Sequence, residues 1–152
     1  MKKTKVVKEL EKKFNEYDMV KDEYIVDISG IDLDGKITLS IIEGETEEIL
    51  FDLQVYYEEN IYNLVVFFIN QIYEDYINQL DKLIRGWNAF SKQKARSLRL
   101  WAERNAEDKI LEINKEIIDR YTQIENAKKQ IEFYKKFVCM FYAIKSRLGK
   151  AA

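Results

Sequence analysis

Residues 24–55 read YIVDISGIDLDGKITLSIIEGETEEILFDLQV, and the reading of this stretch decides the fold. Three runs inside it alternate. Tyr24, Val26 and Ile28 alternate with Ile25, Asp27 and Ser29. Ile37, Leu39 and Ile41 alternate with Thr38 and Ser40. Ile49, Phe51, Leu53 and Val55 alternate with Leu50, Asp52 and Gln54. Successive side chains of a strand point to opposite faces, so each run predicts a strand with one face on a core. Asp34-Gly35 predicts a type I′ hairpin between the first two. Gly44, set among Glu43, Glu45, Glu47 and Glu48, marks the second turn. The expectation is a three-stranded antiparallel meander.

Outward from it the period becomes helical. Val7, Leu10, Phe14 and Tyr17 follow three-to-four spacing and predict a helix over 3–17. From about Glu58, Ile61, Val65, Phe68, Ile69, Ile72, Tyr76, Leu80 and Leu83 form a broad apolar stripe, predicting a helix that covers the meander. The run from Leu64 to Ile69 also suits a buried strand, because a short apolar run shows no period of its own. Proline is absent and glycine occurs five times, so long regular elements should dominate. Gly86 predicts a helix stop or kink. A helix over 88–104 should follow, then another from Ala106 to Arg147, either separate or continuous. The fold class is therefore α+β: N-terminal helix, three-stranded antiparallel meander and covering helix, followed by a long C-terminal helical hairpin or coiled coil.

In the last helix a β-branched residue recurs every seven positions: Ile110, Ile117, Ile124, Ile131 and Val138. Such a series seeks a partner helix, and these five are the candidate helix-partner interface. The intervening heptad positions, Ile113, Arg120, Ala127, Tyr134 and Phe141, are mixed, where a dimeric zipper prefers Leu. Ile118, Phe133, Phe137 and Ile144 lie off the seam. Packing within the chain and assembly between copies both fit this pattern.

Charge divides the chain. Residues 1–86 hold 10 basic and 19 acidic side chains, and residues 87–152 hold 15 and 8. We read 1–86 as an acidic α-β-β-β-α unit and 87–152 as a basic helical region packed on it or on another copy. The composition, 47% hydrophobic and 34% charged, is that of a globular chain. The single cysteine, Cys139, lies among Phe137, Val138, Met140 and Phe141, which predicts a buried thiol and a reducing, cytoplasmic setting. The first residues are basic, with no apolar run behind them, so neither a signal peptide nor a membrane partner is expected.

The chain has no histidine. That removes the usual side chain for acid–base work near neutral pH and the commonest metal ligand. No glycine-rich phosphate loop is present. No enzymatic activity, catalytic residue, metal or cofactor is expected. Ser91-Lys92-Gln93-Lys94 fits the S-x-x-K pattern of penicillin-recognising enzymes, but its companion elements are missing. Asp32-Leu33-Asp34-Gly35 matches part of a calcium loop, but Gly30 and Ile41 occupy flanking ligand positions, and a hairpin turn explains the same residues.

Two surfaces are candidates for binding. Between Arg85 and Arg104, helical spacing puts Lys92, Arg96 and Arg99 on one face, with Arg85 joining them if Gly86 does not break the helix. A cationic stripe of this kind suits phosphate. Trp87, Phe90 and Trp101 fall roughly opposite, either to stack on unpaired bases or to form core. The second surface is acidic: Asp32, Asp34, Glu43, Glu45, Glu47 and Glu48 cluster at the predicted turns. They form either a phosphate-like surface for a host protein or a solvated face.

Cys139-Met140-Phe141-Tyr142-Ala143-Ile144-Lys145-Ser146-Arg147 resembles the end of the recombination-mediator proteins of large tailed phages, with the Tyr76-to-Trp87 spacing adding to the likeness. Those proteins are small, helical, self-assembling binders of single-stranded DNA. The acidic strands have no counterpart in them, and no functional residue is carried over. The expected function is a non-enzymatic, self-associating protein that binds DNA or RNA or serves in assembly. It would partner itself through the C-terminal helix. The alternatives are an acidic inhibitor of a host nucleic-acid enzyme and a structural assembly component.

Overall fold

The computed structural model describes residues 2–151 and is α+β. Its elements are α1 (Lys5–Asn15), α2 (Asp18–Lys21), β1 (Tyr24–Ile28), β2 (Lys36–Glu43), β3 (Ile49–Tyr56) and α3 (Ile61–Ile72). A π-helical turn (Tyr73–Ile77), α4 (Asn78–Arg85), α5 (Trp87–Glu103) and α6 (Glu107–Ala151) follow. Two compact units result: residues up to Asp75 together with those from Lys135 onward, and residues Tyr76–Tyr134. Charge divides the chain once, near residue 86. Packing instead returns the end of α6 to the first unit.

In the first unit the period-two runs form the expected meander, in the order β1-β2-β3. Tyr24 pairs with Glu43 and Ile28 with Leu39; Lys36 pairs with Tyr56 and Ile41 with Phe51. A β-bulge at Ile41/Ile42 then sets Ile42 opposite Ile49. The buried face carries Val26, Ile28, Ile37, Leu39, Ile41, Phe51, Leu53 and Val55.

The first hairpin is not type I′. Gly35 alone takes a positive φ, 78°, whereas a type I′ turn needs two such residues. Asp32 instead opens a three-residue loop. Its N–H donates to the Lys36 carbonyl at 2.9 Å, and its carbonyl accepts from Gly35 at 3.1 Å. Its Oδ1 accepts the N–H groups of Asp34 and Lys36. Asp32 is a turn former, which accounts for the calcium-like spacing. At the second turn Glu47 takes φ 60°. There Gly44 passes so close to β1 that a Cβ would lie 3.1 Å from the Glu23 carbonyl oxygen.

Thr4 caps α1 by accepting the Val7 N–H at 3.1 Å, and Val7, Leu10 and Phe14 are buried. Asn60 caps α3 in the same way from Asn63. The run Leu64–Ile69 is helical, and Leu64, Val65, Phe68, Ile69 and Ile72 are buried. The end of α6 completes this core. Phe137 meets Tyr24 and Phe51 edge-on, each at 5.3 Å between ring centres. Phe141 lies 5.4 Å from Phe14 and 6.2 Å from Phe68. Each fully buried Phe contributes about 1.5–3 kcal/mol through removal from water.

Cys139 is exposed, contrary to the expectation of a buried thiol. On a helix, positions 137, 141 and 144 share one face, and position 139 falls opposite them. The apolar neighbours in sequence are not its neighbours in space.

In the second unit α5 and the first half of α6 run antiparallel. Trp87 packs against Tyr121, Arg120 lies over Phe90, and Lys94 pairs with Glu116, so one number rises as the other falls. The helices are separate. Asn105 takes φ 56°, its N–H donates to the Ala102 carbonyl, and the Ala106 N–H reaches back to Trp101, which is a Schellman C-cap. Gly86 does not stop the helical course of the backbone: it keeps right-handed helical angles, its N–H donates to the Lys82 carbonyl, and the Phe90 N–H donates to the Gly86 carbonyl. Tyr76 and Tyr134 stack 4.7 Å apart at the base of the unit's helices.

The heptad series serves this single-chain packing. Ile124, Ile131 and Val138 are buried within the chain, as are Ile113 and Ala127, while Ile110 and Ile117 are half-buried. Most of the seam read as a helix-partner interface is thus already occupied. The apolar side chains that α6 leaves in solvent are off-seam, chiefly Leu111 and Ile118, 68% and 64% exposed. Among the described residues no helix is long and apolar enough to cross a membrane.

Candidate nucleic-acid interface

The residues from Arg85 to Arg104 include six basic side chains and one acidic one, Glu103. Three of the six act locally. Arg85 pairs with Asp81 at 2.8 Å, Lys94 pairs with Glu116, and Arg104 lies 5.4 Å over the Trp101 ring. The other three, Lys92, Arg96 and Arg99, are exposed. Among the described residues they have no carboxylate within ion-pair distance. They span about 10 Å along one face of α5. This is the part of the predicted stripe that survives as free cationic surface.

Packing explains the division. Trp87 turns inward, 5.8 Å from Tyr121 and 6.0 Å from Phe90. Lys94 Nζ stands 5.5 Å over the Phe90 ring, and Arg120 approaches it to 4.9 Å. The aromatic face of α5 is therefore the seam of the helical hairpin. Trp101 is half-buried, with Arg104 and Lys109 over its ring. Of the two tryptophans proposed for base stacking, Trp87 is committed to the hairpin and Trp101 is covered by cations. The S-x-x-K pair is also accounted for: Ser91 Oγ donates to the Asn88 carbonyl at 3.1 Å, and Lys94 is held by Glu116.

The acidic residues do not form one surface. Asp32 and Asp34 sit at the β1–β2 turn, whereas Glu43, Glu45, Glu47 and Glu48 sit at the β2–β3 turn. In a meander these turns lie at opposite ends of the middle strand, eight residues long. They are roughly 24 Å apart at strand spacing. Asp22 and Glu23 join the glutamate end beside Tyr24 and Leu50. Composition alone does not place these two there; the register does, because setting Tyr24 across from Glu43 brings the residues just before Tyr24 to that turn. Among the described residues no group of three or more acidic or thiol side chains is arranged to hold a metal.

Comparison with protein-family models, with curated proteins and with solved structures gives no match to this chain. Within residues 139–147, Met140, Phe141 and Ile144 are core side chains.

Proposed function

We propose that this protein binds nucleic acid through the α5 face formed by Lys92, Arg96 and Arg99, without enzymatic chemistry. The observation that carries this reading is their shared exposure and freedom from carboxylate partners on a helix whose opposite face is packed. Exposed guanidinium groups bind phosphate oxygens bidentately, and their attraction is felt along any phosphate backbone. With the aromatic face turned inward, recognition rests on phosphate rather than on stacked bases, so binding should be independent of sequence. The test is fluorescence anisotropy with labelled single-stranded and duplex oligonucleotides at low and moderate salt. The wild type should bind with a steep salt dependence, and the Lys92→Glu, Arg96→Glu, Arg99→Glu variant should lose binding while melting normally. Absence of any low-salt binding by the wild type ends the proposal.

Self-association through α6 is the second reading. It is favoured by Leu111 and Ile118, exposed one heptad apart. A concentration-dependent mass in light scattering that disappears in Leu111→Lys, Ile118→Lys protein would support it.

A further inference from the structure

The two edges of the sheet are treated differently. Strand pairing alternates, so on an edge strand every second residue turns its backbone N–H and C=O away from the sheet. Ser29 N–H donates to the Thr38 carbonyl, which fixes the alternation on β1 and turns Val26 and Ile28 outward. Side chains of α1 satisfy three of their four backbone groups. Asn15 Nδ2 donates to the Val26 carbonyl, and the Val26 N–H donates to Asn15 Oδ1, both at 2.8 Å. The Ile28 N–H donates to Glu11 Oε2 at 2.8 Å. That edge is closed.

The β3 edge is not closed in this way. Tyr57 N–H donates to the Gly35 carbonyl at 2.9 Å, so Val55 pairs inward with Ile37, and Gln54 and Tyr56 turn their backbone groups outward. Beside them runs a groove of about 520 Å³. Its strand wall is three consecutive residues, Gln54, Val55 and Tyr56, as expected at a strand's edge rather than on its face. Its helix wall is Phe67, Asn70 and Gln71, on one side of α3. Phe67 is 37% exposed and Tyr56 63% exposed.

We infer that this groove takes an extended peptide, which adds to β3 as a fourth strand. Backbone pairing with Gln54 and Tyr56 would supply the attraction, and alternate side chains the selectivity. One set of side chains faces Val55 and Phe67 and suits Val or Leu. The other set faces Tyr56 and Lys36. Lys36 Nζ lies 5.0 Å from the Tyr56 ring centre and, among the described residues, has no carboxylate partner. Asp75, the acid of the groove, accepts from Gln71 Nε2 at 2.8 Å. Asp75 keeps its charge on the helix side, while Lys36 stands unpaired on the Tyr56 side among the described residues, so the complement on the Tyr56 side is a peptide side chain of Glu or Asp.

The probe is a blocked synthetic pentapeptide, Thr-Val-Glu-Val-Thr, titrated into the labelled full chain and followed by amide NMR. Saturable shifts should centre on Gln54 and Tyr56, and their amides should become protected from exchange. The same peptide N-methylated at its central residues should not bind. Lys36→Glu should weaken binding of the peptide about tenfold and favour its Lys counterpart. Gln54→Pro, which removes an outward donor that β2 does not use, should abolish binding; if that variant does not fold, Lys36→Glu remains the deciding one. No saturable shift at Gln54–Tyr56 up to millimolar peptide, or equal shifts with the N-methylated peptide, would overturn the inference.

Discussion

Asn15 closes the edge of the sheet by gripping both backbone groups of Val26, giving one hydrogen bond and taking another at 2.8 Å each. A helix side chain here stands in for a missing strand. The expected outcome of Asn15→Ala is a loss of roughly 1–3 kcal/mol, because an N–H and a C=O on β1 are left without partners. Asn15→Asp should recover only part, since a carboxylate accepts from the N–H but cannot donate to the carbonyl. Urea unfolding of the three proteins checks the order.

Single substitutions on α5 should separate phosphate contacts from packing. Arg96→Ala should weaken binding evenly across sequences. It should lower the slope of log K against log salt by about 0.7 for single strands and about 0.9 for duplex. Trp87→Ala should instead lower stability, because its ring packs on Tyr121 and Phe90. Anisotropy titrations at several salt concentrations, paired with thermal melts, distinguish the two behaviours.

The meander was legible in residues 24–55 because a half-buried strand must alternate, and the alternation of Ile37, Leu39 and Ile41 has no helical reading. The turn type was not legible. Asp34-Gly35 serves both the two-residue and the three-residue loop, and the choice was made by Asp32, whose carboxylate binds two backbone N–H groups. The basic face of α5 was legible from spacing alone. What spacing could not show was neutralisation: Glu116 lies 22 positions from Lys94 in sequence. The acidic residues were grouped by composition, whereas antiparallel geometry puts successive turns at opposite ends. The exposure of Cys139 is not legible from its apolar neighbours, because Phe137, Val138, Met140 and Phe141 fall on one side of the helix and position 139 lies opposite them.

Stability should fall on the alkaline side. Hydrogen bonds to Asp27 and Glu11 hold the Lys3 ammonium above its ordinary value. Burial pushes up the phenols of Tyr24 and Tyr134, with Glu23 adding to the first and Tyr76 to the second. In each case the folded state keeps a proton that the unfolded chain has released. Their stabilising effect is therefore complete below the ordinary lysine and tyrosine values, near about 10, and is lost as pH rises through the folded values. Urea midpoints measured from about pH 8 to 11 should decline at the upper end. In Tyr134→Phe, which has no phenol to titrate, the decline should be shallower.

Opposite faces of one helical turn should respond oppositely to substitution. Cys139→Ser, at an exposed position, should change stability by less than about 0.5 kcal/mol. Phe141→Ala removes a fully buried ring that packs against Phe14 and Phe68, and should cost about 3–5 kcal/mol. In the native protein the Cys139 thiol should react fully with a thiol reagent before unfolding. A thiol that reacts only in denaturant would contradict its exposure.

Burial also decides how self-association must be tested. Ile124 is 2% exposed, so Ile124→Lys puts a charge into the helical hairpin and should unfold it whether or not copies associate. A change of mass in that variant would carry no information about assembly. Ile118, 64% exposed on the same helix, is the discriminating position. Ile118→Lys should leave the melting temperature within a few degrees of the wild type, because little surface is desolvated there in the single chain. If α6 joins copies through its exposed strip, light scattering will show a lower mass for Ile118→Lys at equal concentration, with unchanged circular dichroism. Equal masses for wild type and Ile118→Lys would assign α6 wholly to the fold of its own chain.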